Sequence, residues 1–433
     1  MIIMSKKCVT AIILGAGHRS MTYAEYSVKH PDELKIVGVA DLDGFRRNMV
    51  REKFGFPEEN CFSSAAALAE APKFADVIIN GTMDEQHVET SIPLLKKGYD
   101  MLLEKPFAVN EDEMNSLLAV IKAHGNRVMI CHVLRYTPFY LTIKNKIANG
   151  ELGDIINIQT AENVSYHHLS TSYVRGKWGN SKRCHTSMLL AKCCHDVDIM
   201  MWLMSDTKPV SVSSVGSKFQ FKEENAPEGA GTQCVVDCPL VDTCLHSAKR
   251  IYLDHPDRWE SYVWQALESI ENPTHEQRLE LLKTSPYGRC IYKCDNDVVD
   301  HQSVLVNFKN GATGTHNMSG GAAAPLRSVR IIGTKGELYG EFENNFIQVK
   351  TINPEPGRDY DEEYIDLNLN EEIAGGHGGG DDNLTADFVR FASGEKTSIS
   401  CTSVWDSVAG HRVIFLADKS RENGGALIEV KDE

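Results

Sequence analysis

Long apolar runs are missing from this sequence: no uninterrupted hydrophobic stretch approaches the ~20 residues that a membrane-spanning helix needs, so no membrane partner is expected. Positive charge is also scarce. Lysine and arginine number 45 against 60 acidic residues, and the net charge of −15 would repel a phosphate backbone, so nucleic acid is not an expected partner. Cysteine, at 12 in 433 residues, is too thin for a secreted disulfide scaffold, and most thiols are expected to be reduced. After Lys6-Lys7 the apolar stretch covers only 8–14 and runs into Gly15-Ala16-Gly17 without a small-residue cleavage pattern. It reads as a buried first strand, and a cytoplasmic location is expected. Compositional bias is absent too, with 42% hydrophobic and 24% charged residues, which excludes disorder and fibrous repeats. At about three times the ~150 residues of a common domain, the chain has room for two or three.

The first hundred residues alternate β-branched runs with helix-like segments, the pattern of a parallel sheet covered by helices. Strands are expected at 10–14, 36–40, 77–80, 100–103 and 127–132, and helices at 21–29, 45–54, 87–97 and 111–124. A helix at 138–149 and a strand at 155–162 follow. Met188, Lys192, His195, Ile199 and Trp202 recur at helical spacing, which predicts a helix over 188–203. Strands at 210–217, 303–308, 311–318, 328–333 and 337–342 come without intervening helices, as in an antiparallel sheet. The expected division is 1–133 for a doubly wound nucleotide-binding domain and 134–433 for a second domain, with a cysteine-rich insertion at about 222–300 and a helical piece at 259–270. The acidic run 358–372 reads as a solvated loop or edge strand. In the glycine-rich turn at 375–380, Asp381 or Asp382 is placed to cap a helix at 384–392.

Gly15 and Gly17 follow the first strand and open a helix, where bare backbone can approach a pyrophosphate. The third glycine of that fingerprint is replaced by Ser20. The second strand ends in Asp41, where a carboxylate bonds ribose hydroxyls and disfavours a 2′-phosphate, so NAD is expected over NADP. Arg46 and Arg47 nearby leave NADP open.

Lys105 sits at the carboxyl end of a strand, where open α/β sheets bind ligands; with a lowered pKa it could accept a hydroxyl proton. Equally, Glu104-Lys105 could be a surface pair before Pro106. Lys192 and His195 are three apart on one helix and could enter one cleft, although a lone histidine there is more often a packed side chain. Asp196 and Asp198 read as groups that orient neighbours.

Gly15-Ala16-Gly17, Asp41, Asn80-Gly81-Thr82 with His87, Glu104-Lys105-Pro106, Arg135 and His195-Asp196-x-Asp198 resemble the Gfo/Idh/MocA oxidoreductases over nearly the whole chain. The resemblance implies an α/β fold: an N-terminal Rossmann doubly wound sheet, then a C-terminal α/β domain with a large open, mainly antiparallel sheet. It also implies a site between the domains and a homodimer or homotetramer formed through the open sheet face. The implied cofactor-binding residues are Gly15, Gly17, His18, Arg19, Asp41, Thr82, His87, Glu104, Lys105 and Arg135. Lys105 and His195 are the implied catalytic pair. Many polyol dehydrogenases of the family carry an aspartate one turn before the histidine; Ala191 stands there, and the adjacent Lys192 is a third catalytic candidate. Inositol dehydrogenase activity is therefore not carried over.

Asn163, His167, Trp178 and Arg183 precede that helix and suit a polar small ligand, with Trp178 stacking on a sugar face; the other reading is a polar interdomain loop. Tyr166 and His168 lie in the same segment, and His377 occupies the glycine turn. Cys234, Cys238, Cys244, Cys290 and Cys294 form two groups, four of which could hold a structural zinc or an iron–sulfur cluster, with zinc preferred; unligated thiols and disulfides are the alternatives. The expected function is hydride transfer between a secondary hydroxyl of a sugar, polyol or glycoside and NAD(P). A redox-neutral glycosidase or lyase working through a transient 3-keto sugar, and a non-catalytic NAD-binding sensor, are its rivals.

Overall fold

The computed structural model describes residues 8–367 and 379–431, so His377 lies outside the described residues. Six strands form the first sheet: β1 (Val9–Leu14), β2 (Leu34–Ala40), β3 (Cys61–Phe62), β4 (Val77–Asn80), β5 (Asp100–Leu103) and β6 (Val128–Ile130). All pair in parallel, in the order β3-β2-β1-β4-β5-β6. Along β1, Ala11 and Ile13 enter one apolar cluster while Ile12 and Leu14 enter another, so both faces are covered and the strand is apolar except at Thr10, which bonds Asp76. Strand order reverses between β1 and β4, which opens a crevice at their carboxyl ends.

Helix ends follow local chemistry. In Glu111–His124 the Asn110 side chain accepts from the Glu113 N–H, three acids fill the first turn, and Gly125 closes the helix at φ 68°. The helix Met188–Leu203 starts at Ser187, whose side chain accepts from the Leu190 N–H. It is buried nearly all round, because it lies between the second sheet and the helix Val404–Glu422.

The second sheet has nine strands: β7 (Ile155–Ser165), β8 (Pro209–Ser217), β9 (His301–Phe308), β10 (Thr313–Ala322), β11 (Leu326–Gly333), β12 (Gly336–Glu341), β13 (Phe346–Ile352), β14 (Tyr360–Asp366) and β15 (Ile428–Glu429). Their order is β14-β13-β12-β11-β7-β10-β9-β8-β15, antiparallel except where β7 meets β10. The acidic run supplies edge strand β14.

Two features depart from the pattern read in the sequence. The helix expected at 384–392 begins earlier, at Gly380, and its cap is Gly379 with φ 79°; Asp381 and Asp382 lie inside the first turn instead of capping it. Leu384, Phe388 and Val389 of this helix join Ala11 and Ile13 in one core, so the chain's last part returns to the first sheet. In the insertion, the helical piece at 259–270 is broken into Glu260–Val263 and Gln265–Leu267 after Trp259, whose φ is 64°. A regular helix comes later, His275–Thr284, started by a Thr274/Gln277 capping box. Ile251, Tyr252, Val263, Trp264 and Leu282 give the insertion a small core of its own.

Candidate active site

The crevice at the end of β1 is shaped by glycines. Gly15 has φ +76°, and a Cβ there would lie 3.0 Å from the Gly81 carbonyl oxygen and the Thr82 nitrogen. A side chain is thus excluded by the Gly81–Thr82 peptide and by the left-handed backbone. At Gly17 a Cβ would meet nothing within 4 Å, leaving open space where a ligand can approach backbone. Ser20, in place of the third glycine, is buried, and a Cβ on Gly81 would come within 2.3 Å of its Oγ. The room usually made by a glycine in the helix is made here by one at the end of β4.

Asp41 accepts from the Ala16 N–H at 2.6 Å and the Asp43 N–H at 2.8 Å, which fixes its carboxylate beside the glycine loop. Arg46 is turned away, with a bidentate bond to Glu268 of the insertion at 3.1 and 3.0 Å. Arg47 donates to the Asp41 and Leu42 carbonyls. His18 is exposed at the loop, while Arg19 reaches Glu104 at 3.0 Å and Asp381 at 2.6 Å and bonds the Tyr23 hydroxyl. Burial disfavours the Glu104 carboxylate, but Arg19 and Lys105 outweigh it and lower its pKa. Thr82 donates its N–H and hydroxyl to Asn80, and the His87 ring lies between the Pro106 and Thr82 carbonyls at 2.7 and 3.1 Å.

Lys105 crosses from the end of β5 to the helix Met188–Leu203, where its Nζ donates to the Ala191 carbonyl at 3.1 Å. The position without an aspartate thus offers its backbone oxygen. The lowered pKa expected for Lys105 is corrected: burial opposes its charge, but Cys194, Glu104 and Asp84 together raise the pKa. Lys105 therefore keeps its proton at neutral pH.

His195 is nearly buried, its ring edge-on to His132 with centroids 5.8 Å apart. Burial, then Arg135 and Lys105, push the His132 pKa well down, so His132 stays neutral. Arg135 is buried beneath it, paired to both oxygens of Asp198 at 2.7 and 2.6 Å. Lys192 pairs with Glu162 at 3.0 Å, and Arg327 joins Glu162 to Asp196 at 2.7 and 2.9 Å. Asp196 and Asp198 hold arginines.

The wall above Lys105 contains residues that the sequence reading missed. Trp178 donates to Asp84 at 2.8 Å, and Lys177 lies 4.1 Å over the Trp178 ring and 5.8 Å from Tyr262 of the insertion. The adjacent Lys177-Trp178 pair was the available signal; nothing local announced Asp84, 94 residues away in the chain. Tyr166 and His168 join this aromatic wall, Tyr166 edge-on to His167 and the His168 ring centroid 4.4 Å from that of Trp259. His167 accepts from Trp259 at 3.0 Å, and burial with Arg258 lowers its pKa to about 4. Asn163 sits half-buried in β7, paired with Ser319 and Leu326. Arg183 stands apart, exposed and ion-paired with Asp295.

Four of the five clustered cysteines, Cys234, Cys238, Cys244 and Cys290, line one hollow, together with Arg175 and His246. Cys294 is outside it, its thiol donating to the Cys290 carbonyl at 3.3 Å. All twelve cysteines are free thiols.

Residues 9–132 match the model of an oxidoreductase family with an NAD-binding Rossmann fold, and residues 144–430 match that family's C-terminal alpha/beta domain. The Bacillus subtilis (strain 168) protein YteT is 23% identical over 375 residues, 82% of this chain and 81% of its own. The WlbA dehydrogenase of Bordetella pertussis, solved with NADH and UDP-GlcNAcA, superposes with a TM-score of 0.68 at 15% identity, covering 99% of this chain and 100% of that one. A levoglucosan dehydrogenase solved with NADH gives 0.70 at 16% identity, covering 98% and 100%. At these identities the two structures speak for the fold.

Proposed function

The chain belongs to the Gfo/Idh/MocA oxidoreductase family, which has an NAD-binding Rossmann fold, and from that premise we propose that it oxidises a secondary hydroxyl of a sugar, polyol or glycoside with NAD. The observation that carries the reading is the reach of Lys105 from the end of β5 to the Ala191 carbonyl, one turn before His195. It joins the dinucleotide crevice to the helix that bears the second catalytic group.

Bound NAD supplies the hydride acceptor. The open backbone at Gly15 and Gly17 takes the pyrophosphate, Asp41 the adenosine ribose, and Thr82, His87 and Glu104 border the nicotinamide half. Arg46, engaged by Glu268, is not free for a 2′-phosphate, which supports NAD over NADP. Lys105 donates a hydrogen bond to the substrate oxygen and steadies its developing negative charge. Because Lys105 holds its proton, His195 is the group that accepts the hydroxyl proton as the carbonyl forms. Lys192, tied to Glu162, orients substrate. Trp178 carries Lys177 over one face and Tyr173 stacked near it, so it acts as the platform that holds Lys177 at the wall, and Asn163 and His167 are further candidates for hydroxyl contacts. Arg135 positions the site from beneath through Asp198.

A redox-neutral variant also finds support. Glu268 clasps the insertion to Arg46 of the nucleotide-binding unit, an arrangement suited to a cofactor retained through a cycle of oxidation and re-reduction. We further take the protein to be a cytoplasmic homodimer or homotetramer, paired through the open sheet face where Val215, Leu305 and Tyr364 are exposed.

The test is absorbance at 340 nm of the protein with NAD and a panel of sugars, polyols and aryl glycosides. A rise with a given substrate supports net oxidation, and aglycone release at constant absorbance the redox-neutral cycle. Neither signal, with NAD bound, refutes both.

A further inference from the structure

The hollow among the cysteines lies in the insertion, away from the dinucleotide crevice. Cys234, Cys238 and Cys244 approach it from one segment and Cys290 from another, and the two segments are tied by the Cys234 N–H to Gly288 carbonyl and the Cys290 N–H to Thr232 carbonyl bonds, each 2.8 Å. The hollow itself is about 10 Å³ and opens through its mouth onto ≈ 310 Å³ of space shared with solvent, so that a cluster would fill the mouth as well. Four thiols around a space that no side chain fills is an odd way to pack a satellite core.

The charge beside it is odder. Arg175 is buried, and among the described residues no carboxylate pairs with it. Its Nε donates to the Arg289 carbonyl and one terminal nitrogen to the His246 carbonyl at 2.7 Å, the same nitrogen 3.7 Å from the Cys234 sulfur. The other terminal nitrogen has no hydrogen-bond partner. A buried guanidinium without an anion is costly, and neutral thiols do not supply one.

Sulfur spacing separates the candidate occupants. Four thiolates on one zinc, each about 2.3 Å from the metal, would sit roughly 3.8 Å apart. Among the described residues, no three of these sulfurs lie within 4.8 Å of one another; the trio of ligand atoms that does is Cys193, Asp196 and His316 in the other core. That spacing is wider than a single zinc takes, and a polynuclear core sets its thiolates farther apart.

We propose that Cys234, Cys238, Cys244 and Cys290 hold a [4Fe–4S] cluster whose anionic thiolate shell is the counter-charge of Arg175. This replaces the zinc preferred from the sequence. Each thiol gives its proton to solvent as its sulfur binds iron, and two ferrous ions, two ferric ions and four sulfides make up the core, so that charge and electrons balance without a further oxidant. The cluster staples the segment bearing Cys234, Cys238 and Cys244 to the one bearing Cys290, and so holds the intervening lid that places Tyr262 over Lys177 and Glu268 on Arg46.

The test is iron, sulfide and zinc analysis of the full-length protein, purified without oxygen and reconstituted with ferrous and ferric iron and sulfide, together with its visible absorbance and the electron paramagnetic resonance spectrum after dithionite reduction. The expected result is about four iron and four sulfide per chain with a visible absorption band, lost in Cys238→Ser and kept in Cys294→Ser. One zinc per chain without sulfide, or no iron after reconstitution, would overturn the proposal. So would loss of the cluster in Cys294→Ser with retention in Cys238→Ser.

Discussion

The dinucleotide crevice and the cysteine-rich insertion solve the same electrostatic problem in opposite ways. Around the crevice buried Arg135 and half-buried Arg19 and Arg327 each meet a carboxylate of the chain itself: Arg19 meets Glu104 and Asp381, Arg135 meets Asp198, and Arg327 meets Glu162 and Asp196. Against the insertion Arg175 meets carbonyls, a sulfur and the Tyr252 ring, 5.7 Å from its centroid. The first region is complete as a polypeptide and is organised before any ligand arrives. The second is completed by something the chain does not encode.

The sharpest way to break this comparison is at Lys105, which the crevice prepares but does not need for its fold. Lys105→Met should lower turnover on the order of 10²–10⁴-fold while NAD binding, read by fluorescence titration, is kept. Loss of NAD binding instead would make Lys105 a structural residue.

Arg135→Leu attacks self-compensation directly. It leaves Asp198 buried without its bidentate partner, and should cost about 3–5 kcal/mol in denaturant unfolding. Arg135→Leu combined with Asp198→Leu should recover much of that loss. No recovery would mean that the pair's role is not electrostatic.

Acid tests the same region more gently. Burial first, then His132, lowers the His411 pKa to about 3, and His132 is lowered in the same direction. An unfolded histidine binds its proton near 6.5, so between ~6.5 and ~3 the unfolded chain holds more protons than the folded one. Stability is therefore full above ~6.5 and falls as the pH drops, by up to about 1.4 kcal/mol per pH unit for each such histidine. Urea unfolding at pH 7 and pH 5 checks this, and equal stability at both would contradict it.

The smallest effect is expected at the clasp between the regions. Arg46→Ala removes a partly exposed ion pair and should change stability by less than about 1 kcal/mol while speeding NAD release. Unchanged release would leave the lid without influence on the cofactor.

Legibility in the sequence follows the same divide. The helices Glu111–His124 and Met188–Leu203 lie where the sequence places them, because helical patterning is local; their caps, Asn110 and Ser187, came with the structure. Asp41 and the glycine loop were readable because backbone geometry dictates residue type there. The return of Leu384 and Phe388 to the first core was not readable, since it depends on contacts across most of the chain. Asp84 under Trp178 is hidden for the same reason, and the raised pKa of Lys105 reflects charges that only the fold assembles. In the insertion the cysteines were visible, but which four converge, and that Cys294 turns away, depended on the path between the two groups.

Hydrogen exchange on the full-length protein, stripped of metal and then reconstituted with iron and sulfide, tests the difference between the regions most directly. Amides of the segments bearing Cys234, Cys238, Cys244 and Cys290 should gain protection on reconstitution while those of the first sheet, from β1 to β6, stay as they were. Equal protection of the insertion in both states would contradict the account, because the charge of Arg175 would then be met by the polypeptide alone.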